Sequence, residues 1–301
     1  MLVIKYRKVF FTLSGIVVAM AIAAIAFFGL NFGIEFTGGE LIEVKYAERP
    51  AKTILEAQLN ELELGVYSLR SAGEDQYILR VRPLEETERD SVFTAVTHVG
   101  TTEAIGTIER FNSVGPTIGV ELRNKAWIAM LAVIFAIIIF IAIAFRKVSE
   151  PVSSWRYGII AIIALAHDVI LPTAVFAILG YFLGAEVGVL FVMALLAILG
   201  YSVNDTIVVF DRVRENLRIN AEKNRREDFE LTVGKSLNQT YMRSINTSLT
   251  TLLVLLALFF MGSETTQDFA LVLIAGVLAG TYSSLFLATP LLVTVQNWQG
   301  K

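Results

Sequence analysis

The sequence predicts an α-helical polytopic membrane protein with six transmembrane helices and one small α+β, ferredoxin-like domain outside the bilayer. Three observations lead there. The 301 residues are 55% hydrophobic and 18% charged, against about 25% charged in an ordinary soluble domain, and the mean hydropathy is +0.63. Six stretches meet or approach the roughly 20 apolar residues that cross about 30 Å of hydrocarbon. Between the first and second of them the composition turns polar, and the periodicity changes to that of short strands and amphipathic helices.

The spans are expected at residues 9–30, 126–145, 157–183, 187–210, 237–261 and 269–295. The fifth is purely apolar only from Ser248 onward, so its polar first turns have to be shielded by neighbouring helices or lie near the interface. Trp127, Trp155, Tyr181 and Trp298 fall near expected span ends, where amphipathic rings prefer to lie. Lys5, Arg7 and Lys8 precede an apolar run that contains Ala24-Ile25-Ala26, a triplet of the kind signal peptidase cleaves. The run continues through Phe27 and Phe28 and is long for a signal peptide, so an uncleaved anchor is expected.

Loop charges orient the spans. Three basic residues precede the first span, three lie in residues 146–156 and eight in 211–243, whereas the short loops near Glu186 and Ser263 have none. The positive-inside rule then puts both termini and the basic loops in the cytoplasm. Ten further basic residues lie between Lys45 and Lys125, in a segment long enough to be translocated whatever its charge. The expected division is residues 1–30, the N-terminus and first span; 31–125, the extracytoplasmic domain; and 126–301, the remaining five spans and cytoplasmic loops.

Within the polar segment, residues 40–46 alternate as a strand, 51–62 read as a helix, and 67–71 with 77–82 form a hairpin around Gly73. Pro83 ends the hairpin, residues 85–99 suit a second helix and 103–111 a closing strand. The order β-α-β-β-α-β is that of a split βαβ, ferredoxin-like sandwich.

Several classes of function lack their residues. With no cysteine and only His98 and His167, thiolate metal sites, disulfides and catalytic thiols are absent, and no metal or cofactor is expected. His98 reads as a helix-surface residue. Gly234, Lys235 and Ser236 imitate the end of a phosphate-binding loop, but Phe229 stands where its first glycine belongs, so a polar loop before a span is expected. The net charge is −3 and basic residues are not interleaved with aromatics, which argues against nucleic acid as a partner. No catalytic residues are assigned, and the chain is not expected to be an enzyme.

Charges inside the spans remain. Asp168 lies near the middle of the third span, Asp205 about one and a half turns from the cytoplasmic end of the fourth, and Arg243 about two turns into the fifth. A charge at a helix centre costs roughly 2.5–3.5 kcal/mol on insertion scales, so such residues face the bundle interior and mark ion paths. Antiparallel neighbours bring Asp205 and Arg243 to similar depth, and an ion pair between them is expected. Thr240, Arg243, Thr247 and Thr251 recur at three- and four-residue spacing, setting hydroxyls around the guanidinium. Tyr201 sits one turn before Asp205, with Asn204 beside it. The competing reading is that these groups only bond helices together; for His167 and Asp168 no partner can be named. Gly276, Gly280, Ser284 and Ala288 make a small-residue stripe that permits close helix contact. The arginine-rich stretch 212–226 suits solvation or contact with anionic membrane lipid.

Residues 31–40 read NFGIEFTGGE, 114–122 read VGPTIGVEL, 200–216 read GYSVNDTIVVFDRVREN and 236–251 read SLNQTYMRSINTSLTT. With His167-Asp168, and in this order along nearly the whole chain, they resemble the signatures of the SecF family of protein-export membrane proteins, part of the resistance-nodulation-division superfamily. Glu35 stands where that family's first motif carries an aspartate, and the stretch after the fourth span reads as a longer loop than usual. The resemblance implies a partner, SecD, with six similar spans, joint action with the SecYEG channel on a translocating polypeptide, and use of the proton-motive force. It implies too that the membrane is the inner membrane of a bacterium. Asp205, Arg243, Asn204, Asp168 and Thr247 are the candidate proton-transport residues.

Three readings of function compete. One is the proton-driven accessory subunit of export. A second is half of a proton-coupled exporter of lipids or small molecules, for which an extracytoplasmic domain of this size without an apolar cleft is small. A third is a non-transporting assembly scaffold, in which Asp205 and Arg243 are replaceable. An intramembrane protease would need two close carboxylates in a motif that is not seen here.

Overall fold

A computed structural model describes residues 2–101, 103–144, 154–225 and 227–298, with only the backbone given at 144, 154, 155, 264 and 265. The basic loop residues Arg146 and Lys147, the Trp155 side chain, Arg226 and the C-terminal Lys301 lie outside the described residues. The elements are α1 (Leu2–Lys5), α2 (Arg7–Phe28), α3 (Ile34–Thr37), β1 (Gly39–Tyr46), α4 (Lys52–Glu61), β2 (Ser68–Ala72), β3 (Gln76–Val81), α5 (Glu86–Thr97), β4 (Gly106–Val114), α6 (Pro116–Ala144), α7 (Ser154–Leu183), α8 (Val189–Glu222), α9 (Phe229–Met261), α10 (Glu264–Tyr282), a π-helical stretch (Ser283–Ala288) and α11 (Thr289–Asn297). They form two compact units: Asn31–Trp127 with Glu186–Val189, and the remainder.

The larger unit is helical. Six helical runs are long and apolar enough to cross a membrane: Arg7–Phe28, Pro116–Ile143, Arg156–Leu183, Val189–Glu222, Phe229–Met261 and Thr266–Asn297. The chain is a multi-pass membrane protein. Its core joins Ile4, Ile141, Tyr157, Ile160, Leu199, Phe210, Val233 and Leu292. The outward faces stay apolar, with Leu131, Phe135, Met242, Leu253 and Val254 exposed, as a lipid or protein environment requires and water does not.

Two expectations are corrected here. The polar stretch after the fourth span is not a long loop: α8 runs for 34 residues, about 51 Å at 1.5 Å per residue, and α9 begins at Phe229. Gly234, Lys235 and Ser236 are therefore helical, with Gly234 and Ser236 buried. The hairpin is held by side-chain amides. Asn216 donates to Ser236 and Gln239, both at 2.8 Å, and Asn220 donates to Glu227 at 2.8 Å and Thr232 at 3.2 Å. Arg7 pairs with Glu230 at 2.9 Å beside it. Charged outer faces hid these helices from a search for apolar runs, since a polar face facing water leaves only a narrow apolar stripe.

The smaller unit holds a four-stranded, wholly antiparallel sheet in the order β2-β3-β1-β4. β1 and β2, joined through α4, are thus separated by β3. Ile42, Val44, Leu55, Leu59, Leu79, Val92 and Val96 form its core. Glu40 is fully buried in β1, where Arg89 of α5 grips it at 2.6 Å and Ser113 donates at 3.3 Å. The closing strand runs from Gly106 to Val114 rather than from 103 to 111, pairing Gly106 with Tyr46 and Val114 with Gly39. A side chain at Gly106 would meet the Tyr46 ring at 2.7 Å, so the strand begins where the chain carries none.

The two glycine-bearing segments at the ends of this unit meet in space. Gly38 and Gly39 both have positive φ, +76° and +136°, which L side chains disfavour. A Cβ on Gly38 would lie 2.9 Å from the Pro116 Cα, one on Gly39 would lie 2.6 Å from the Val81 oxygen, and one on Gly119 would lie 2.8 Å from the Gly38 nitrogen. Backbone packs directly on backbone, which explains why residues 31–40 and 114–122 carry their glycines together.

Candidate functional site

The buried polar groups of the helical unit line the facing sides of α7, α8, α9 and the α10–π run. Asp168 on α7 is fully buried and accepts three bonds. They come from His167 Nδ1 at 2.8 Å, from Ser283 Oγ at 2.7 Å and from Ser202 Oγ. One carboxylate thereby ties the third, fourth and sixth spans, and every donor is matched to one of its oxygens. Four residues on, Pro172 sits within α7; it has no N–H to return to the Asp168 carbonyl, which opens the helical ladder at that turn.

Asp205, on α8, stands differently. Its Oδ1 accepts from Ser244 Oγ of α9 at 2.7 Å, while Oδ2 is buried with no hydrogen-bond partner among the described residues. A buried carboxylate oxygen left without a donor is costly to keep charged. Around it, Thr206 Oγ1 and Ser284 Oγ lie 2.8 Å apart, Ser248 Oγ and Thr281 Oγ1 2.6 Å, and Tyr201 donates to Ser248 at 3.2 Å. A belt of hydroxyls joins the fourth, fifth and sixth spans at this level.

Helix packing sets the belt. The small-residue stripe of the sixth span lies on α8: a Cβ on Gly276 would collide with the Ile198 side chain, and one on Gly280 would come within 3.0 Å of the Ser202 Cβ. The π-helical stretch begins at Ser283, the residue that reaches Asp168; π turns widen a helix locally and often mark functional sites.

The structure brings some of the expected residues together and not others. Asp205 and Asp168 are buried on facing helices. Arg243 is exposed on the outer side of α9 and makes no ion pair with Asp205. The reason is helical phase: Ser244, one residue further and about 100° around the axis, takes the inward position. Asn204 is exposed for the same reason beside the inward Asp205. Thr247 is exposed and donates to the Arg243 carbonyl at 2.9 Å, and Thr251 donates to the Thr247 carbonyl, so the expected hydroxyl ring around the guanidinium is spent on the helix's own backbone. The inward row is Ser236, Thr240, Ser244 and Ser248. Sequence reasoning passed over Ser202, Ser244 and Ser283; the four-residue spacing of that row was the available signal. Tyr181 and Trp298 are exposed near helix ends, whereas Trp127 is exposed inside α6, which begins at Pro116 rather than at the expected start of the span. His98 caps the C-terminus of α5, its Nδ1 2.9 Å from Thr97 Oγ1.

Six spans, an α+β unit inserted after the first of them, and two carboxylates buried in a hydroxyl belt define a polytopic membrane protein whose polar chemistry lies inside its own bundle. Residues 94–298 match the model of the family described as protein export membrane protein SecD/SecF, C-terminal, and residues 23–48 match the SecD/SecF GG motif. The protein translocase subunit SecF of Thermobaculum terrenum is 39% identical over 98% of this chain and 94% of its own length. That of Anaerolinea thermophila is 38% identical over 95% of this chain and 91% of its own. The crystal structure of SecDF from Thermus thermophilus, a translocon-associated membrane protein, superposes with a TM-score of 0.81 at 30% identity, covering 99% of this chain. The chain spans 38% of that longer SecDF chain. It belongs to the SecD/SecF family of protein-export membrane proteins, as one of its SecF members.

Proposed function

We propose that this chain works with a separate SecD-like subunit, beside the SecYEG channel, to draw exported polypeptide outward at the expense of the proton-motive force. The SecDF likeness supports the pairing, since this chain corresponds to only part of that longer one. The outward face of α9, with Tyr241, Met242, Leu249 and Leu253 around the exposed Arg243, suits a protein partner better than lipid, because a guanidinium there needs a counter-charge. Both termini and the α8–α9 hairpin are cytoplasmic on this reading, the α+β unit lies outside the bacterial inner membrane, and no covalent chemistry is involved.

The observation that carries the proposal is the asymmetry of Asp205: one oxygen held by Ser244, the other buried and open. A proton on Oδ2 neutralises the group, and its loss restores a charge that the nearby Arg243 can meet when the helices shift. Movement of one charge through the potential supplies about 2.3 kcal/mol per 100 mV, enough to bias two packings of a bundle whose states differ by a few kcal/mol. Asp205→Asn keeps the volume and the bond from Ser244 but cannot ionise. It is expected to leave membrane insertion and assembly with SecD intact and to abolish the proton-dependent part of export into vesicles of defined potential and pH gradient. Undiminished proton-dependent export in that variant would defeat the proposal in favour of a scaffold.

A further inference from the structure

Val189, the first residue of α8, is also the last residue of the α+β unit. The chain just before it is bound into that unit from two sides. Val187 donates its N–H to the Asn31 carbonyl at 2.7 Å and accepts from the Gly33 N–H at 3.1 Å, a parallel bridge that pairs Phe32 with Val187. Beside it, Arg80 of β3 forms an ion pair with Glu186, the two side chains only 17% and 12% exposed. Two carboxylates come close to the flanking glycines. A Cβ on Gly33 would come within 3.1 Å of the Glu186 carboxylate, and one on Gly188 within 3.2 Å of that of Glu35. The residues 31–33, 186–188 and β3 thus make one clasp.

From that clasp α8 runs without a break or a proline to Asp205, 16 residues on and about 24 Å along the axis. The helix has no proline and no π turn between Val189 and Asp205, and Gly200 is its one point of lower stiffness, so an axial or tilting displacement at Asp205 is carried along an unbroken ladder toward residues 186–188. We infer that Glu186 and Arg80, with the Val187 bridge, are the positioning residues that pass movement of α8 into the α+β unit and so couple proton transfer to the polypeptide outside. This rests on the reading that Asp205 takes up and releases the proton. It differs from a purely structural role in one respect: the loss appears in the ratio of energised to non-energised export at equal amounts of assembled complex.

The test uses the full chain assembled with its SecD-like partner in vesicles, scored as the ratio of energised to non-energised export of a presecretory protein. Glu186→Arg and Arg80→Glu are each expected to lower that ratio by about fivefold or more, the lower end of coupling between linked sites, at equal amounts of assembled complex. The double reversal, which rebuilds the pair with its signs exchanged, is expected to restore most of it. If a single reversal fails to assemble, Glu186→Gln replaces it. A second measurement closes the clasp covalently. Phe32→Cys with Val187→Cys, oxidised to a disulfide in a chain that has no other cysteine, is expected to leave energised export unchanged, because the clasp stays shut through the cycle. Single reversals at the wild-type ratio, a double reversal no better than the singles, or a cross-link that stops export until it is reduced would each overturn the inference. Failure of the proton-site reading is seen separately, as full energised export in Asp205→Asn, while the reversals and the cross-link still decide the clasp.

Discussion

Leucine at the two buried aspartates is expected to move stability in opposite directions. In Asp168→Leu three donors lose their acceptor. Ser283 still has the Gly280 carbonyl at 3.1 Å and Ser202 can turn to the carbonyl four residues back on α8, which leaves His167 Nδ1 stranded in a site with no exposure at Asp168 itself. A buried donor deprived of its partner costs about 1–3 kcal/mol, so the loss is about 2 kcal/mol. In Asp205→Leu only the bond from Ser244 disappears, and that hydroxyl can turn to the carbonyl four residues back on α9. The half-satisfied carboxylate goes with it, and replacing a buried ionic group by a well-packed apolar one is often neutral or stabilising by about 1–4 kcal/mol. Unfolding of the detergent-solubilised full chain, followed by tryptophan fluorescence against denaturing detergent, gives both differences. The reasoning is wrong if Asp168→Leu lies within about 1 kcal/mol of wild type, or if Asp205→Leu is the less stable of the two.

Single cysteines at Ser71 and Lys223 should label from opposite sides of the membrane. Ser71→Cys is reached by an impermeant reagent in intact spheroplasts and Lys223→Cys only after lysis; the reverse pattern would invert the topology. Gly276→Ala should destabilise the bundle by about 1–3 kcal/mol through overpacking, and with Ile198→Ala, which clears the side chain the new methyl meets, the combined loss should be smaller than the sum of the two single losses in the same unfolding assay. The fork of Arg82 on Glu88, at 2.6 and 2.9 Å, and the Glu85 N–H pull the Glu88 carboxyl down to about 2 from its ordinary 4.5. Because the folded value is the lower, the contribution of this pair to the first turn of α5 is complete above pH 4.5 and is lost as pH falls through about 2. An NMR titration of Glu88 with its midpoint near 4.5 would contradict the geometry.

The count and position of the spans were legible because a bilayer demands uniform apolar length, and no other architecture asks for it. Rotation about each helix axis was not. On α6 and α7 apolar residues run all round the helix, so no stripe reports which side faces a neighbour, and the phase that sends Ser244 inward and Arg243 outward leaves no apolar periodicity to read. Charge proved misleading at that point. Arg243 was the conspicuous residue, whereas serines, equally able to bond a neighbour or their own backbone, carry the contacts to Asp205 and Asp168. The strands of the α+β unit were legible from alternation, but their ends were not; β4 is placed by what packs against Gly106 and Gly39, which lies in other parts of the chain. The tie between residues 31–33 and 187 had no local signal at all.

The π-helical stretch at Ser283–Ala288 has a geometric effect on everything that follows it. In a straight α-helix residues four apart overshoot a full turn by about 40°, so a stripe spaced like Gly276, Gly280, Ser284 and Ala288 would spiral away from α8 within three steps. One widened turn takes up an extra residue and so reduces that drift between Ser284 and Ala288. It also lets two successive residues serve two different neighbours, Ser283 at Asp168 and Ser284 at Thr206. The stretch acts as a phase corrector for the sixth span: removing one residue from it would convert it to ordinary helix, turn α11 by about 100°, and swing Leu292 and Val293 out of the core in which they are now fully buried.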